Sequence, residues 1–135
     1  MSESVSAKRV LLVDDEAHIL HVVAMKLRGA GFEVHTAGDG EEGFTAAKEL
    51  EPDLIVSDLQ MPFMDGIELA HAIKCDDRLC KTPVLMLTAR GFSIPKEKLD
   101  ETNVVAVLSK PFSPREVLAK VEELTDGRGG HAGAA

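Results

Sequence analysis

Aromatic residues are scarce in this chain of 135 residues, which has no tryptophan, no tyrosine and five phenylalanines. A basic excess is also missing, because 15 Lys and Arg against 23 Asp and Glu leave a net charge of -8. A surface that binds nucleic acid needs basic residues to neutralise phosphates, so we expect no direct nucleic-acid partner. An anionic membrane surface is disfavoured for the same electrostatic reason.

Cysteine is rare as well, and Cys75 and Cys80 have no neighbours in sequence that would complete a zinc site. We expect both thiols to be reduced. No apolar run is long enough to cross a bilayer, and residues 1–9 lack the apolar stretch of a signal peptide. The expected compartment is therefore the cytoplasm, without membrane insertion.

Short apolar stretches alternate with amphipathic ones along most of the chain. This pattern predicts an α/β fold in which helices cover both faces of a parallel sheet. One domain is expected over residues 8–125, between a flexible N-terminus (1–7) and a disordered Gly- and Ala-rich tail (126–135). The predicted strands are Arg9–Val13, Glu33–Ala37, Leu54–Ser57, Val84–Leu87 and Val104–Leu108. The predicted helices are Ala17–Ala30, Gly40–Leu50, Gly66–Lys74, Pro95–Thr102 and a last helix beginning at Pro114.

Capping residues mark several helix ends. Gly31 is placed to form a left-handed C-cap after the first helix, and Asp39 is placed as the N-cap of the second. Capping boxes are predicted for the third and last helices: Asp65 with Glu68, and Ser113 with Glu116. The least regular region is predicted to be the loop before the fourth helix.

Charged residues follow the predicted strands at their ends. Asp14 and Asp15 follow the first strand, Asp58 the third and Lys110 the fifth. Because parallel strands present their carboxyl ends at one edge of the sheet, we expect these side chains to converge there. Three carboxylates and one ammonium are typical of a magnesium-dependent phosphoryl-transfer site. Asp58 is the expected nucleophile and the residue that becomes phosphorylated.

Each of these residues also has an ordinary structural interpretation. Asp14 and Asp15 could form a solvated acidic turn that caps the first helix, and Asp58 could cap its own loop. Lys110 could be a surface lysine, and Thr88, at the end of the fourth strand, could be satisfied by backbone. Taken alone, several of these residues would favour the ordinary interpretation. Their coincidence at the ends of four strands favours the phosphoryl-transfer site.

The motifs around these residues resemble the receiver domains of response regulators, in particular the stand-alone chemotaxis type. The resemblance runs from about residue 8 to residue 125. It implies a flavodoxin-like (CheY-like) doubly wound sheet of five parallel strands in the order 2-1-3-4-5. The matching runs are Val-Asp-Asp-Glu at Val13–Glu16, Asp-Leu-Gln-Met-Pro-Phe-Met-Asp-Gly at Asp58–Gly66, Leu-Thr-Ala at Leu87–Ala89 and Lys-Pro-Phe at Lys110–Phe112.

The resemblance also implies a metal site and a donor. Asp15, Asp58 and the backbone carbonyl of Gln60 would ligate Mg²⁺ directly, and Asp14 would act through water, with Mn²⁺ able to replace Mg²⁺. A histidine kinase or a histidine phosphotransfer protein would donate the phosphoryl group to Asp58.

Further roles follow from the same resemblance. Thr88 and Lys110 would contact the phosphoryl group, and the small side chain of Ala89 would leave room for it. Arg90, together with Gln60, would flank the phosphate and influence its lifetime. The peptide bond between Lys110 and Pro111 would be cis.

One departure from the family pattern concerns switching. Val107 stands where the family usually carries an aromatic residue that moves with the threonine of the fourth strand. Val has one stiff torsion and little area to swing. Either Phe92 replaces the missing ring by moving with its loop, or Thr88 and the backbone carry the switch alone.

Four functions compete at this point. The preferred one is a single-domain response regulator that gates protein binding by phosphorylation, with no output domain after Leu124. The alternatives are a phosphorelay intermediate, a pseudo-receiver that binds partners without phosphorylation, and a phosphatase of small acyl phosphates. In the preferred case the chain is not an enzyme beyond its own phosphorylation and dephosphorylation, and its downstream partner is a protein that the sequence does not identify.

Overall fold

The computed structural model describes residues 7–89 and 94–126. Its centre is a sheet of five parallel strands in the order β2-β1-β3-β4-β5, which confirms the predicted flavodoxin-like order. The strands are β1 (Arg9–Val13), β2 (Glu33–Ala37), β3 (Leu54–Asp58), β4 (Val84–Thr88) and β5 (Val104–Ser109). The helices are α1 (Ala17–Gly29), α2 (Gly40–Leu50), α3 (Gly66–Cys75), α4 (Lys96–Asp100) and α5 (Pro114–Asp126).

The two faces of the sheet support two separate apolar clusters. In β1, Leu11 and Val13 pack into the cluster on the side of α2 and α3. Val10 and Leu12, which alternate with them, pack into the cluster on the side of α1 and α5. This alternation is the consequence of the two-residue period of a strand. Strands β3 and β4 are buried at every residue, as expected for the interior of a doubly covered parallel sheet.

The predicted caps are present. Gly31 has φ of 100°, and the Gly31 and Phe32 amides donate to the carbonyls of Arg28 and Leu27, which is the Schellman arrangement. Asp39 accepts a hydrogen bond of 2.8 Å from the Glu42 amide. Both capping boxes form as predicted: Asp65 with Glu68, and Ser113 with Glu116.

Most bounds agree with the prediction to within one residue, and α4 is the exception. It was expected over Pro95–Thr102 and is observed only over Lys96–Asp100. Pro95 precedes the helix, with φ of -56° and ψ of 138°, instead of lying in its first turn. At the other end, the Thr102 hydroxyl donates to the Leu99 carbonyl and accepts from the Val104 amide, so the chain turns into β5 early.

The sheet ends at β5, whose residues are all at least partly exposed. Val105 and Val107 are 55% and 42% exposed, and α4 buries none of its own residues. Arg90 and Phe92 lie outside the described residues, as do nearly all of the predicted flexible ends 1–7 and 126–135. Within the described ranges, no helix has the length and apolar character that a membrane span requires.

Candidate functional site

Three carboxylates meet at the carboxyl edge of the sheet. Asp14 follows β1 and Asp58 is the last residue of β3; the two strands are neighbours, with Val13 paired to Ser57. Asp14, Asp15 and Asp58 each offer an oxygen, and these oxygens lie within 4.8 Å of one another. Asp14 and Asp58 are 2% and 4% exposed, whereas Asp15 is exposed to solvent. The structure thus brings together the three carboxylates that the sequence placed at one edge.

Lys110 follows β5 and joins this group at the same edge of the sheet. Its Nζ lies 3.7 Å from Asp58 Oδ1 and 3.6 Å from Glu16 Oε1. Its backbone amide donates to the Thr88 carbonyl at 2.8 Å, which fixes the end of β5 against the end of β4. The following peptide bond to Pro111 is cis, as the resemblance implied. Lys110 is therefore a member of the site and not a free surface lysine.

Thr88 ends β4 one residue beyond the position that pairs with Asp58. Its side chain is 1% exposed. Among the residues that the structure describes, none hydrogen-bonds to Thr88 Oγ1. Within the described residues, the backbone therefore does not satisfy this hydroxyl. Ala89, the next residue, is half-buried.

The two carboxylate oxygens of Asp14 differ in their hydrogen bonding. Asp14 Oδ1 accepts a 2.9 Å hydrogen bond from the Glu16 amide. Asp14 Oδ2 is buried without a partner in the described part of the chain. The interpretation of Asp14 as a solvated turn residue that caps α1 is wrong, because Asp14 is buried and Glu16 occupies the N-cap position.

The electrostatics of the two buried carboxyls follow from this burial. The pKa of the Asp14 carboxyl is raised to about 6, mainly by burial; the hydrogen bond from the Glu16 amide lowers it in part, and the nearby charge of Asp58 adds to the rise. Burial also raises the pKa of Asp58, while the Lys110 ammonium acts in the opposite direction. Each carboxylate is therefore less stable in its charged form than it would be in water.

This donor set fits a hard divalent cation. Mg²⁺ prefers carboxylate and other oxygen ligands and usually keeps several waters. Asp14 Oδ2 is a buried carboxylate oxygen without a hydrogen-bond partner among the described residues, and an unsatisfied buried polar group costs about 1–3 kcal/mol. A cation between Asp14, Asp15 and Asp58 would offset both this cost and the mutual repulsion of the carboxylates.

Gly66 fixes the loop that leaves Asp58. A β-carbon on Gly66 would lie 2.5 Å from the Asp58 carbonyl oxygen and 2.6 Å from Met86 Sδ. The Gly66 amide donates to the Leu59 carbonyl, and the Leu59 amide donates to the Leu87 carbonyl, each at 2.8 Å. The start of α3 therefore packs directly on the end of β3, which only a residue without a side chain allows.

Other predicted residues remain outside this cluster. Gln60 lies exposed in the loop after β3, and nothing in the structure tests its carbonyl as a ligand. Val107 lies on the exposed side of β5. Glu16, by contrast, was given no role from the sequence, although it directly follows the acidic pair and contacts Lys110. Its position in the Val-Asp-Asp-Glu run was the available signal.

Comparison with known proteins gives a consistent result. A family model described as the response regulator receiver domain matches residues 10–122. The chain is 36% identical over 114 residues to the DNA-binding response regulator MtrA of Mycolicibacterium paratuberculosis, covering 84% of this chain and 49% of that protein. It is 39% identical over 117 residues to the alkaline phosphatase synthesis transcriptional regulatory protein PhoP of Bacillus subtilis, covering 87% and 48%. The chain thus spans about half the length of these curated relatives.

Among solved structures, the chain is similar to the chemotaxis protein CheY4 of Vibrio cholerae. The TM-score is 0.80 and the sequence identity is 35%, with 88% of this chain and 99% of that chain covered. The similarity therefore extends over both sequence and fold.

Proposed function

The chain belongs to the response regulator receiver domain family of two-component signalling, and on that premise we propose that it accepts a phosphoryl group on Asp58. The observation that supports this most directly is the cluster of Asp14, Asp15 and Asp58, with Lys110 Nζ 3.7 Å from Asp58 Oδ1. Asp58 is the carboxylate that ends the buried strand β3 and has the Lys110 ammonium beside it. It is therefore the one whose charge and position suit a nucleophile.

In the proposed step, a carboxylate oxygen of Asp58 attacks the phosphorus atom of the donor. The phosphorus–nitrogen bond of a phosphohistidine breaks, and the histidine nitrogen keeps the electron pair. The product is an acyl phosphate on Asp58. A Mg²⁺ ion held by Asp14, Asp15 and Asp58 would offset the negative charges of the carboxylate and the incoming phosphoryl group.

Lys110 and Thr88 supply the protein groups that this product needs. Lys110 Nζ is shared between Asp58 and Glu16 at similar distances, so it can turn to a phosphoryl oxygen without leaving the site. The Thr88 hydroxyl is buried, has no hydrogen-bond partner among the described residues, and can donate to another phosphoryl oxygen. Both contacts would exist only after phosphorylation, so they can report the phosphorylated state to the rest of the fold.

We propose a histidine kinase or a histidine phosphotransfer protein as the donor, and phosphorylation-gated protein binding as the output. A relay intermediate would use the same site and differ only in passing the phosphoryl group onward. A pseudo-receiver is less well supported, because buried oxygens of Asp14 and Thr88 lack partners among the described residues, which suits a site that still takes ligands. Beyond its own phosphorylation and hydrolysis we assign no enzymatic activity.

The test is the intact mass of the protein after incubation with acetyl phosphate, with and without Mg²⁺. We expect the added mass of one phosphoryl group only when Mg²⁺ is present. Asp58→Asn should abolish the adduct. Asp100→Asn, which removes an exposed carboxylate from α4, is the matched control and should leave it unchanged. An adduct that persists in Asp58→Asn would assign the phosphoryl group to another residue and refute the proposal.

A further inference from the structure

Phe63, in the loop between β3 and α3, has the most exposed large apolar side chain of the described residues. It is 98% exposed. The other exposed large apolar residues of the described part are Met25, Val105 and Val107, at 59%, 55% and 42%. A phenylalanine can bury on the order of 150 Å² or more of surface, and here it buries almost none.

The backbone at Phe63 is also unusual. Its φ is 70°, in the left-handed region that bulky side chains rarely adopt. The Met64 amide donates to the Pro62 carbonyl at 2.8 Å, which closes a γ-turn with Phe63 at its centre. With a positive central φ, this is the rarer and more strained of the two γ-turn forms. A strained residue persists only where the surrounding structure holds it, and such residues concentrate at functional positions.

The rest of the loop holds Phe63 in this position. Leu59 and Met61 are 5% and 8% exposed, so the loop is anchored in the core before Phe63. Met64 packs where a side chain on Gly40 would otherwise lie, and Asp65 begins α3 with its capping box. The neighbours on both sides are therefore fixed, and the Phe63 ring projects from a rigid support.

This support is continuous with the phosphorylation site. The loop starts at Asp58 and returns to it, because the Gly66 amide bonds to Leu59 and Gly66 packs on the Asp58 carbonyl. Any protein that delivers a phosphoryl group to Asp58 must approach this edge of the sheet. A small phosphodonor needs only the carboxylates, Lys110 and Thr88. A protein donor also covers the surface around them.

We infer that Phe63 is a specificity-determining residue for the protein phosphodonor, and that its ring inserts into an apolar pocket beside the donor's phosphohistidine. This inference rests on the proposed function of Asp58. Rigid aromatic side chains serve well as interface anchors because they contribute a large contact area with little loss of conformational entropy. Since a small phosphodonor offers no such pocket, Phe63 should distinguish the two classes of donor.

The experiment compares two donors on the same variants. The protein donors are the purified, autophosphorylated histidine kinases encoded by the source organism of this chain, and the small donor is acetyl phosphate with Mg²⁺. The variants are Phe63→Asn, which tolerates a positive φ, and Phe63→Leu, which keeps an apolar side chain. Val105→Ala, which truncates an exposed apolar residue on β5, is the control. Thermal unfolding checks that all variants fold.

With the kinase that phosphorylates the wild type fastest, Phe63→Asn should lose at least tenfold in kcat/KM, mainly through KM. Phe63→Leu should recover part of the loss, and Val105→Ala should match the wild type. The rate with acetyl phosphate should change less than twofold in all three. Equal kinase rates for wild type and Phe63→Asn would overturn the inference, and so would equal losses with both donors.

Two further outcomes separate the inference from the proposed function. A wild type that accepts phosphate from acetyl phosphate but from no kinase would refute the role of Phe63 and leave Asp58 as an acceptor. A wild type that accepts from neither donor would refute the function of Asp58 itself. If Phe63→Asn changes only the oligomeric state in light scattering, Phe63 belongs to a contact between copies of this chain, and the inference is wrong.

Discussion

At the scale of single residues, Asp14 is a buried carboxyl that destabilises the metal-free fold. Its carboxyl is buried, one oxygen lacks a partner among the described residues, and burial raises its pKa to about 6. A rise of this size from 3.8 corresponds to on the order of 3 kcal/mol at neutral pH in a metal-free protein. A divalent cation bound at the proposed site would offset this cost.

Asp14→Asn should therefore stabilise the metal-free protein. We expect a gain of about 1–2 kcal/mol in the free energy of unfolding at pH 7.5, because the amide carries no charge and part of the gain is lost to its burial. Urea unfolding with and without Mg²⁺ measures both effects, and the stabilisation by Mg²⁺ should largely disappear in the variant. Asp15→Asn, at the exposed neighbour, is the control and should change metal-free stability by less than about 0.5 kcal/mol. A destabilised Asp14→Asn would show that the Asp14 charge is compensated in the free protein.

Gly66 is the second residue whose role is local and steric. Gly66→Ala should destabilise the protein by about 2 kcal/mol or more, because the added β-carbon would meet the Asp58 carbonyl and Met86 at 2.5 and 2.6 Å. It should also slow phosphorylation by acetyl phosphate, since Asp58 must move. The matched control is Gly29→Ala, where a β-carbon meets no heavy atom within 4 Å outside its own helix. If both variants unfold at the same urea concentration, the close packing at Gly66 does not constrain Asp58.

At the scale of elements, the sequence predicted those parts whose signals are local. Gly31, Asp39, Asp65 and Ser113 each cap the helix end for which they were proposed, because a cap depends on residues within one turn. The strands were also located, but each of β3, β4 and β5 extends one residue further than predicted. Strand ends depend on pairing with a neighbouring strand, which a single segment does not encode.

The length of α4 and the contact made by Glu16 were not predicted from the sequence. The end of α4 coincides with two short-range hydrogen bonds of the Thr102 hydroxyl, to the Leu99 carbonyl and from the Val104 amide, and the sequence interpretation did not assign Thr102 this role. The contact between Glu16 and Lys110 joins residues from opposite ends of the chain. Convergence of Asp14, Asp58 and Lys110 could be predicted, because the topology of a parallel sheet alone brings strand ends together.

The loop between β3 and α3 offers a prediction at this scale. Phe63→Gly removes a bulky residue from a position with φ of 70°. Relief of backbone strain exceeds the entropic cost of glycine at such a position, so we expect the protein to become more stable by about 0.5–1 kcal/mol. Phe63→Ala keeps a β-carbon and should gain less. Urea unfolding of the two variants against the wild type is the measurement, and a destabilised Phe63→Gly would mean that the γ-turn carries no strain.

At the scale of the whole molecule, the buried acidic site makes the free energy of unfolding depend on pH. The folded state holds protons on Asp14 and Asp58 more tightly than the unfolded state, because burial raises both pKa values. Between the ordinary pKa of 3.8 and about 6 the folded state therefore binds more protons, and the free energy of unfolding falls as pH rises through this window. Glu33 has the opposite effect on the pH dependence of stability, because its hydrogen bond with His35 lowers its pKa. Glu33 is exposed, so solvent screens this effect.

Mg²⁺ should reverse this trend, because it binds the deprotonated site. We expect the wild type without metal to lose stability relative to Asp14→Asn as pH rises from 4 to 6, and to remain at a constant difference above that range. With saturating Mg²⁺ the wild type should instead become more stable as pH rises. Urea unfolding of both proteins at several pH values between 4 and 8, with Mg²⁺ or with EDTA, measures these differences. The difference between the two proteins isolates Asp14 from the other carboxyls. A difference that does not depend on pH below 6 would mean that Asp14 ionises at its ordinary pKa in the folded protein. Its charge would then not destabilise the metal-free fold, and a metal ion would have no such penalty to offset.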